Sequence, residues 1–177
     1  MAEMIGVPAP VSRNDETDID DRVDSEEKEG LGTLRLARLS GSSPYYSVIK
    51  YYKAAASIVK GKALVKSTAS ANPNLLITAA TTNKGDLPSG IAAANVSNTN
   101  YFSYAYVYGY CPGAFVGTAI ASDLRLGLGG TTAGYLTSEF ANATLVNATS
   151  PMFFAWNHMA NTDAATLNSI TIKTWLG

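Results

Sequence analysis

Charge is scarce in this chain. Acidic and basic side chains together make up 15% of its 177 residues, and there is one cysteine and one histidine. A single cysteine, Cys111, cannot close an intrachain disulfide, so the fold does not depend on an oxidising compartment. A single histidine, His158, has no nucleophile or acid at a recognisable spacing, which leaves no triad or dyad to build. No apolar run approaches the length of a membrane span. The opening MAEMIGVPAPVSRNDE has no basic end followed by an apolar stretch, so no secretory signal is expected. Alanine, threonine, serine, asparagine and glycine fill the space that charge leaves. Such a surface suits a protein that packs against neighbours in a large assembly.

The formal net charge of −1 conceals a division. Residues 1–30 hold ten acids against three bases, a net of −7, while residues 31–177 hold ten bases against four acids, a net of +6. The first block also has Pro8 and Pro10 and few large apolar residues. Such a segment cannot bury enough surface to offset its ordering entropy. The sequence therefore predicts two parts, an acidic extended arm at 1–30 and a mildly basic body at 31–177.

Within the body, apolar and β-branched residues recur in short runs separated by glycine, proline and asparagine. Leu34 and Leu36 alternate with Thr33, Arg35 and Ala37. Tyr45–Lys53, Ser57–Lys62, Ala63–Lys66, Leu75–Thr78, Leu124–Leu128, Tyr135–Thr137, Thr144–Val146, Met152–Trp156 and Ser169–Leu176 all read as strands, and Ala79–Pro88 as a connection with one short helical turn. Turns are expected at Gly41–Pro44, Asn72–Asn74 and Gly129-Gly130. The clearest segment is YFSYAYVYGYC. There Tyr104, Tyr106, Tyr108 and Tyr110 alternate with Ser103, Ala105, Val107 and Gly109, which predicts a strand with a tyrosine stripe on one face, ending at Cys111 before Pro112-Gly113. The fold class is all-β with minor helix, a small barrel or sandwich-like body carrying the N-terminal arm.

Chemistry is thin. Asp18, Asp20, Asp24 and Glu29 take first, third, seventh and twelfth places of a calcium loop, but Arg22 and Val23 stand where an oxygen ligand and the turn glycine are needed, so no metal is expected. The glycines of LGLGGTTAG lack the Lys-Ser/Thr pair of a phosphate loop. Asn95, Asn142 and Asn147 begin glycosylation-type triplets that an Asn/Thr-rich chain produces by chance. Cys111 reads as a small buried apolar group and His158 as structural. The tyrosine stripe is the one binding-surface candidate. With no basic residue between Tyr101 and Leu124 it does not suit nucleic acid, and it serves as an oligomer or packing face or stacks on sugars. No catalytic residue, cofactor or metal site is expected, and the protein is not expected to be an enzyme.

The order of these segments resembles the head decoration, or cement, proteins of tailed bacteriophages, including the lambda-type decoration protein with its β-tulip fold. Ile58–Lys66 is similar to the hairpin near the start of that family, Pro88–Ala92 to its Pro-x-Gly-Ile/Val-Ala segment, and Tyr106–Cys111 to its x-Val-x-Gly-x strand. Ala121–Gly134 is similar to its Gly-Asp-x-Leu … Thr-x-Ala-Gly hairpin, and Ile170–Leu176 to its C-terminal strand. Ser122 replaces a glycine, Phe154-Ala155-Trp156 replaces a second strand, and the acidic arm is not general to the family. The resemblance implies a β-tulip-like body and a structural virion protein on the outer capsid surface. Such a protein bridges adjacent major capsid subunits and associates with itself as a trimer or a dimer, without direct contact to nucleic acid or membrane. It also implies that the arm contacts the capsid, through Asp15, Asp18, Asp20, Asp21 and Asp24 against basic surface and Leu34 and Leu36 by strand addition. The alternative is a virion or cell-surface carbohydrate-binding β module that uses the tyrosine face.

Overall fold

The computed structural model describes residues 21–38, 46–83, 87–117, 125–128, 132–137, 155–157 and 167–173. Asp15, Asp18, Asp20, Asp123 and His158, the turns expected at 41–44 and 129–130, and the strand residues 144–146 and 152–154 lie outside them. The described chain is all-β: β1 (Val23–Asp24), β2 (Leu34–Arg38), β3 (Tyr46–Ala54), β4 (Ala63–Lys66), β5 (Leu75–Thr78), β6 (Gly90–Ala92), β7 (Phe102–Phe115), β8 (Arg125–Leu128), β9 (Leu136–Thr137), β10 (Ala155–Asn157) and β11 (Leu167–Ile172). Its one helical piece is a 3-10 turn at Thr81–Asn83, inside the connection where one was expected.

The strands share one sheet in the order β2-β3-β5-β4-β6-β7-β11-β10-β8-β9, with β1 also on β7. The all-β body expected from sequence is present, but the sheet as a whole is not one closed barrel, because the path has ends at β2 and β9. It does turn back on itself twice. β3 pairs with β7 as well as β5, so β3, β5, β4, β6 and β7 form a circuit of paired strands. Each contributes to one apolar cluster, Tyr52, Ala54, Leu64, Leu76, Ala92 and Ala105, joined by Ile58 and Val96. At the other end a bridge from Leu136 to Val116 and a hydrogen bond from the Gly117 amide to the Leu136 carbonyl (2.8 Å) return β9 to the end of β7. Ile58 to Lys66, read from sequence as a hairpin, has the expected turn, the Lys62 amide donating to the Val59 carbonyl at 3.2 Å, but its arms pair with other segments. Ile58 bridges Val96, and β4 pairs with β5 and β6.

β7 is the common member because it is long enough to hold several partners. One edge meets β3 over Phe102 to Gly109. Gly109 also pairs with Ile172, so β11 lies on the opposite edge, which carries it over Gly109 to Phe115.

Two bulges set which β7 side chains face inward. Val48 lies opposite Tyr108 and Ile49 opposite Tyr106, so Val107 is an extra residue against β3. Asn168 lies opposite Ala114 and Ile170 opposite Cys111, so Pro112 and Gly113 together face only Ser169. An added residue moves every later side chain to the other face. The larger core accordingly takes Phe102, Tyr104 and Tyr106, then Cys111, then Ala114 and Val116. Gly109 sits beside the first bulge at φ 82°, where a Cβ would strike the Tyr46 carbonyl oxygen. We predict that Gly109→Ala costs about 2 kcal/mol or more, read from the denaturant midpoint.

One polar atom is enclosed without a hydrogen bond among the described residues, the Tyr52 hydroxyl in the smaller cluster. Burial pushes this phenol's pKa upward. Ser103, directly across the strand pair, is near enough to oppose that shift, but its hydroxyl donates to the Arg22 carbonyl at 2.8 Å. Removing an unsatisfied buried hydroxyl relieves a desolvation cost of about 1–3 kcal/mol. Tyr52→Phe is therefore expected to leave the melting temperature unchanged or raise it, in contrast to other truncations in the same cluster.

Candidate docking face and its strap

Residues 21–33 form a strap over the larger core rather than a free arm. Val23 and Asp24 pair with Ser103 and Phe102, and Val23 packs on the smaller cluster while Leu31 packs on the larger one. Beneath the strap Tyr51 stacks on Phe102 (5.9 Å, 13°) and tilts against Tyr104 (5.1 Å). The strap's acids answer these rings. The Tyr51 hydroxyl donates to Asp24 Oδ2 at 3.1 Å and accepts from the Lys28 amide at 3.2 Å. The Tyr104 hydroxyl donates to Glu29 Oε1. Arg22 pairs with Asp24 at 3.1 Å and Arg35 with Glu29 at 2.8 Å, both carboxylates being largely enclosed. Asp21 meets Lys60 at the surface, 3.3 Å away.

The placement differs from the sequence reading of a free arm. Asp21 pairs with Lys60 of the body, and Asp24 pairs with Arg22 of the strap itself. Leu34 and Leu36 belong to β2 and pair within the chain, opposite Lys50 and Val48. The predicted boundary at 30 falls inside a continuous packed segment, since Glu29 is bound by Arg35 and Tyr104 across it.

The tyrosine stripe is divided by the Val107 bulge. Tyr104 and Tyr106 are core residues, each 1% exposed, whereas Tyr108 is 49% exposed and Tyr110 half-buried. The outer pair acquires new neighbours. Tyr108 faces Val48, which faces Leu36, and Tyr110 faces Thr171. Tyr46, two residues before Val48 on the same side of β3, is 51% exposed. One outer face therefore crosses β2, β3, β7 and β11 and carries Leu34, Leu36, Tyr46, Val48, Tyr108 and Tyr110. The Tyr110 hydroxyl donates to Ser169 Oγ at 2.9 Å, which fixes its ring at the β11 side. Lys50 lies at the inner end of β3's outer row, and burial lowers its ammonium pKa.

Sequence reasoning named Leu34, Leu36, Tyr108 and Tyr110 as members of two separate groups, and the register unites them. It missed Tyr46 and Val48. The available signal was the glycine and proline inside β7, which in a strand mark bulges.

Burial, with the nearby Asp24 carboxylate, pushes the Tyr51 phenol up to about 12, and the Lys28 amide opposes this. Burial and Glu29 raise the Tyr104 phenol as well. Both phenols are neutral in the fold, so their contribution is complete below about pH 10, the ordinary tyrosine value. It is lost as pH rises through about 12. Thermal stability is expected to decline across that window, and Tyr51→Phe to shallow the decline. At neutral pH, Glu29→Ala strands Arg35 and Tyr104 and is expected to cost about 1–3 kcal/mol. Glu26→Ala, whose pair with Lys28 is exposed, is expected to change stability by less than about 0.5 kcal/mol. Urea titration of the two variants checks the difference.

No protein-family profile matches the chain, and no curated protein matches it. Among solved structures it is similar to the N base of head fiber gp8.5 of bacteriophage phi29, at 13% identity and a TM-score of 0.45, over 71% of this chain and 92% of that one.

Proposed function

We propose that this chain is a structural protein of a phage virion that binds the outer surface of the icosahedral head, bridges adjacent major capsid subunits, and acts without catalysis. The reading rests on the shared order of segments with the cement proteins. The observation that carries it in the structure is the outer face. Tyr46 and Tyr108 expose about half of their surface beside Leu34, Leu36 and Val48, on a rigid four-strand platform. Tyrosine is favoured at such contacts because it combines a large apolar ring with one hydroxyl that is easily satisfied. Many copies bound only to the mature shell stabilise that shell by linkage, each contributing its own binding free energy.

Asp24 and Glu29 are enclosed and engaged within the chain, so of the strap's acids only the exposed Asp21, Glu26 and Glu27 remain open to basic capsid surface. Leu34 and Leu36 contribute through their outward side chains. Lys50, desolvated at the edge of the face, favours a carboxylate from the shell.

The two half-exposed tyrosines on one sheet face also favour a second reading, stacking on a neutral glycan. The two readings separate in one experiment. Tyr46→Ser/Tyr108→Ser is expected to reduce co-sedimentation with capsids of the encoding phage at least tenfold while leaving the melting temperature within a few degrees. Unchanged capsid occupancy, together with glycan-array binding that the double variant abolishes, would overturn the capsid reading in favour of the saccharide.

A further inference from the structure

The sheet leaves one five-residue edge open among the described residues. β2 pairs with β3 along one side over Leu34–Arg38, and no described strand lies on its other side. An open edge offers a row of backbone donors and acceptors to another chain, and monomers usually guard it with proline, a bulge or charge. From Leu34 to Ala37 there is no proline, and the register with β3 is unbroken. The charge within that span, Arg35, turns to the inner face, where Glu29 holds it at 2.8 Å. Among the described residues, then, the charge left to guard this edge is Arg38, at its end.

We propose that this edge receives a second copy of the same chain, the two β2 strands pairing antiparallel about a two-fold axis at Leu36. This register uses all five residues. Each Leu34 then lies opposite an Arg38, each Arg35 opposite an Ala37, and Leu36 meets its own symmetry mate. No arginine faces an arginine, and the charge nearest the axis is already neutralised within its own chain. The pattern of charge thus permits the approach that like charges directly opposite would oppose. Because the axis stands normal to the sheet, the outer faces of both copies point the same way. Leu36 is then at the centre of a doubled surface, with Tyr46 and Tyr108 on either flank. The proposal stands apart from the capsid reading, since it concerns the edge and not what the face meets.

Sedimentation velocity of the full chain over a concentration series tests it. The expected result is a shift from one-chain to two-chain mass as concentration rises. Leu36→Lys places two ammonium groups at the axis and is expected to abolish the shift, whereas Thr68→Lys, at an exposed site away from β2, leaves it intact. A second measurement does not depend on the charged variant folding. With the buried thiol removed by Cys111→Ala, Leu36→Cys under mild oxidation is expected to give a disulfide-linked dimer, and Thr68→Cys in the same background is not. One-chain mass throughout with no linked dimer overturns the proposal. So does a dimer that Leu36→Lys leaves intact, or a three-chain assembly, because an antiparallel edge pair closes at two. Each of these outcomes is read on the free protein, whereas the capsid reading is decided by co-sedimentation of the Tyr46→Ser/Tyr108→Ser variant, so the two readings fail separately.

Discussion

β7 must satisfy a donor and an acceptor at almost every residue over fourteen positions, and the structure follows from how it does so. No single neighbour is long enough. One edge goes to β3, while the other is taken by β1 near Phe102, β6 near Ala105 and Tyr106, and β11 from Gly109 onward. The strands on its two edges curl toward each other, which produces two adjacent circuits sharing one member in place of one barrel. The bulges are the geometric consequence. They increase local twist and let the same strand serve two differently oriented sets of neighbours. Gly109 is the hinge of that arrangement, since its backbone is paired on both edges in a conformation that side chains resist.

Electrostatics plays a separate part. The two halves of the chain carry opposite charge, and Glu29–Arg35 and Asp21–Lys60 use that difference internally. Asp24 and Glu29 each bind one arginine and one tyrosine hydroxyl, so two carboxylates fasten the strap to Tyr51 and Tyr104 of the aromatic group beneath it. Exposed pairs such as Lys28–Glu26 contribute little by comparison, because solvent screens them. Enclosure makes the strap's pairs consequential. A buried carboxylate with all its partners present is stable, and one that loses a partner is costly.

With Asp24 and Glu29 engaged, the outer face of β2, β3, β7 and β11 offers other molecules mainly apolar and hydroxylic groups. The outer face carries tyrosine, leucine and valine on strands whose opposite sides are core. The strand scaffold holds these side chains in place, so binding would demand little further ordering. A face of this kind on a body poor in charge suits contact with a repeated, ordered surface, and an open edge beside it suits pairing with a copy of itself.

How far the residues themselves led is clearest element by element. Aromatic and β-branched content in 45–53, the turn chemistry at Asn72–Asn74 and the β-branched start of 169–176 determined local structure, because those signals act between neighbours in the chain. All-β character, a buried Cys111 and inward Ile170 and Ile172 followed from the same signals. Which tyrosines are buried did not. Strict alternation predicted one face for Tyr104 through Tyr110, and a single unpaired residue at Val107, fixed by the register against β3, divided them. The acidic block was legible as charge but not as a strap, because its cations and hydroxyls come from residues up to 75 positions away. Composition and local pattern thus determined what the strands are made of. Long-range register decided which way their side chains point, since pairing distant segments is settled only when the whole sheet closes.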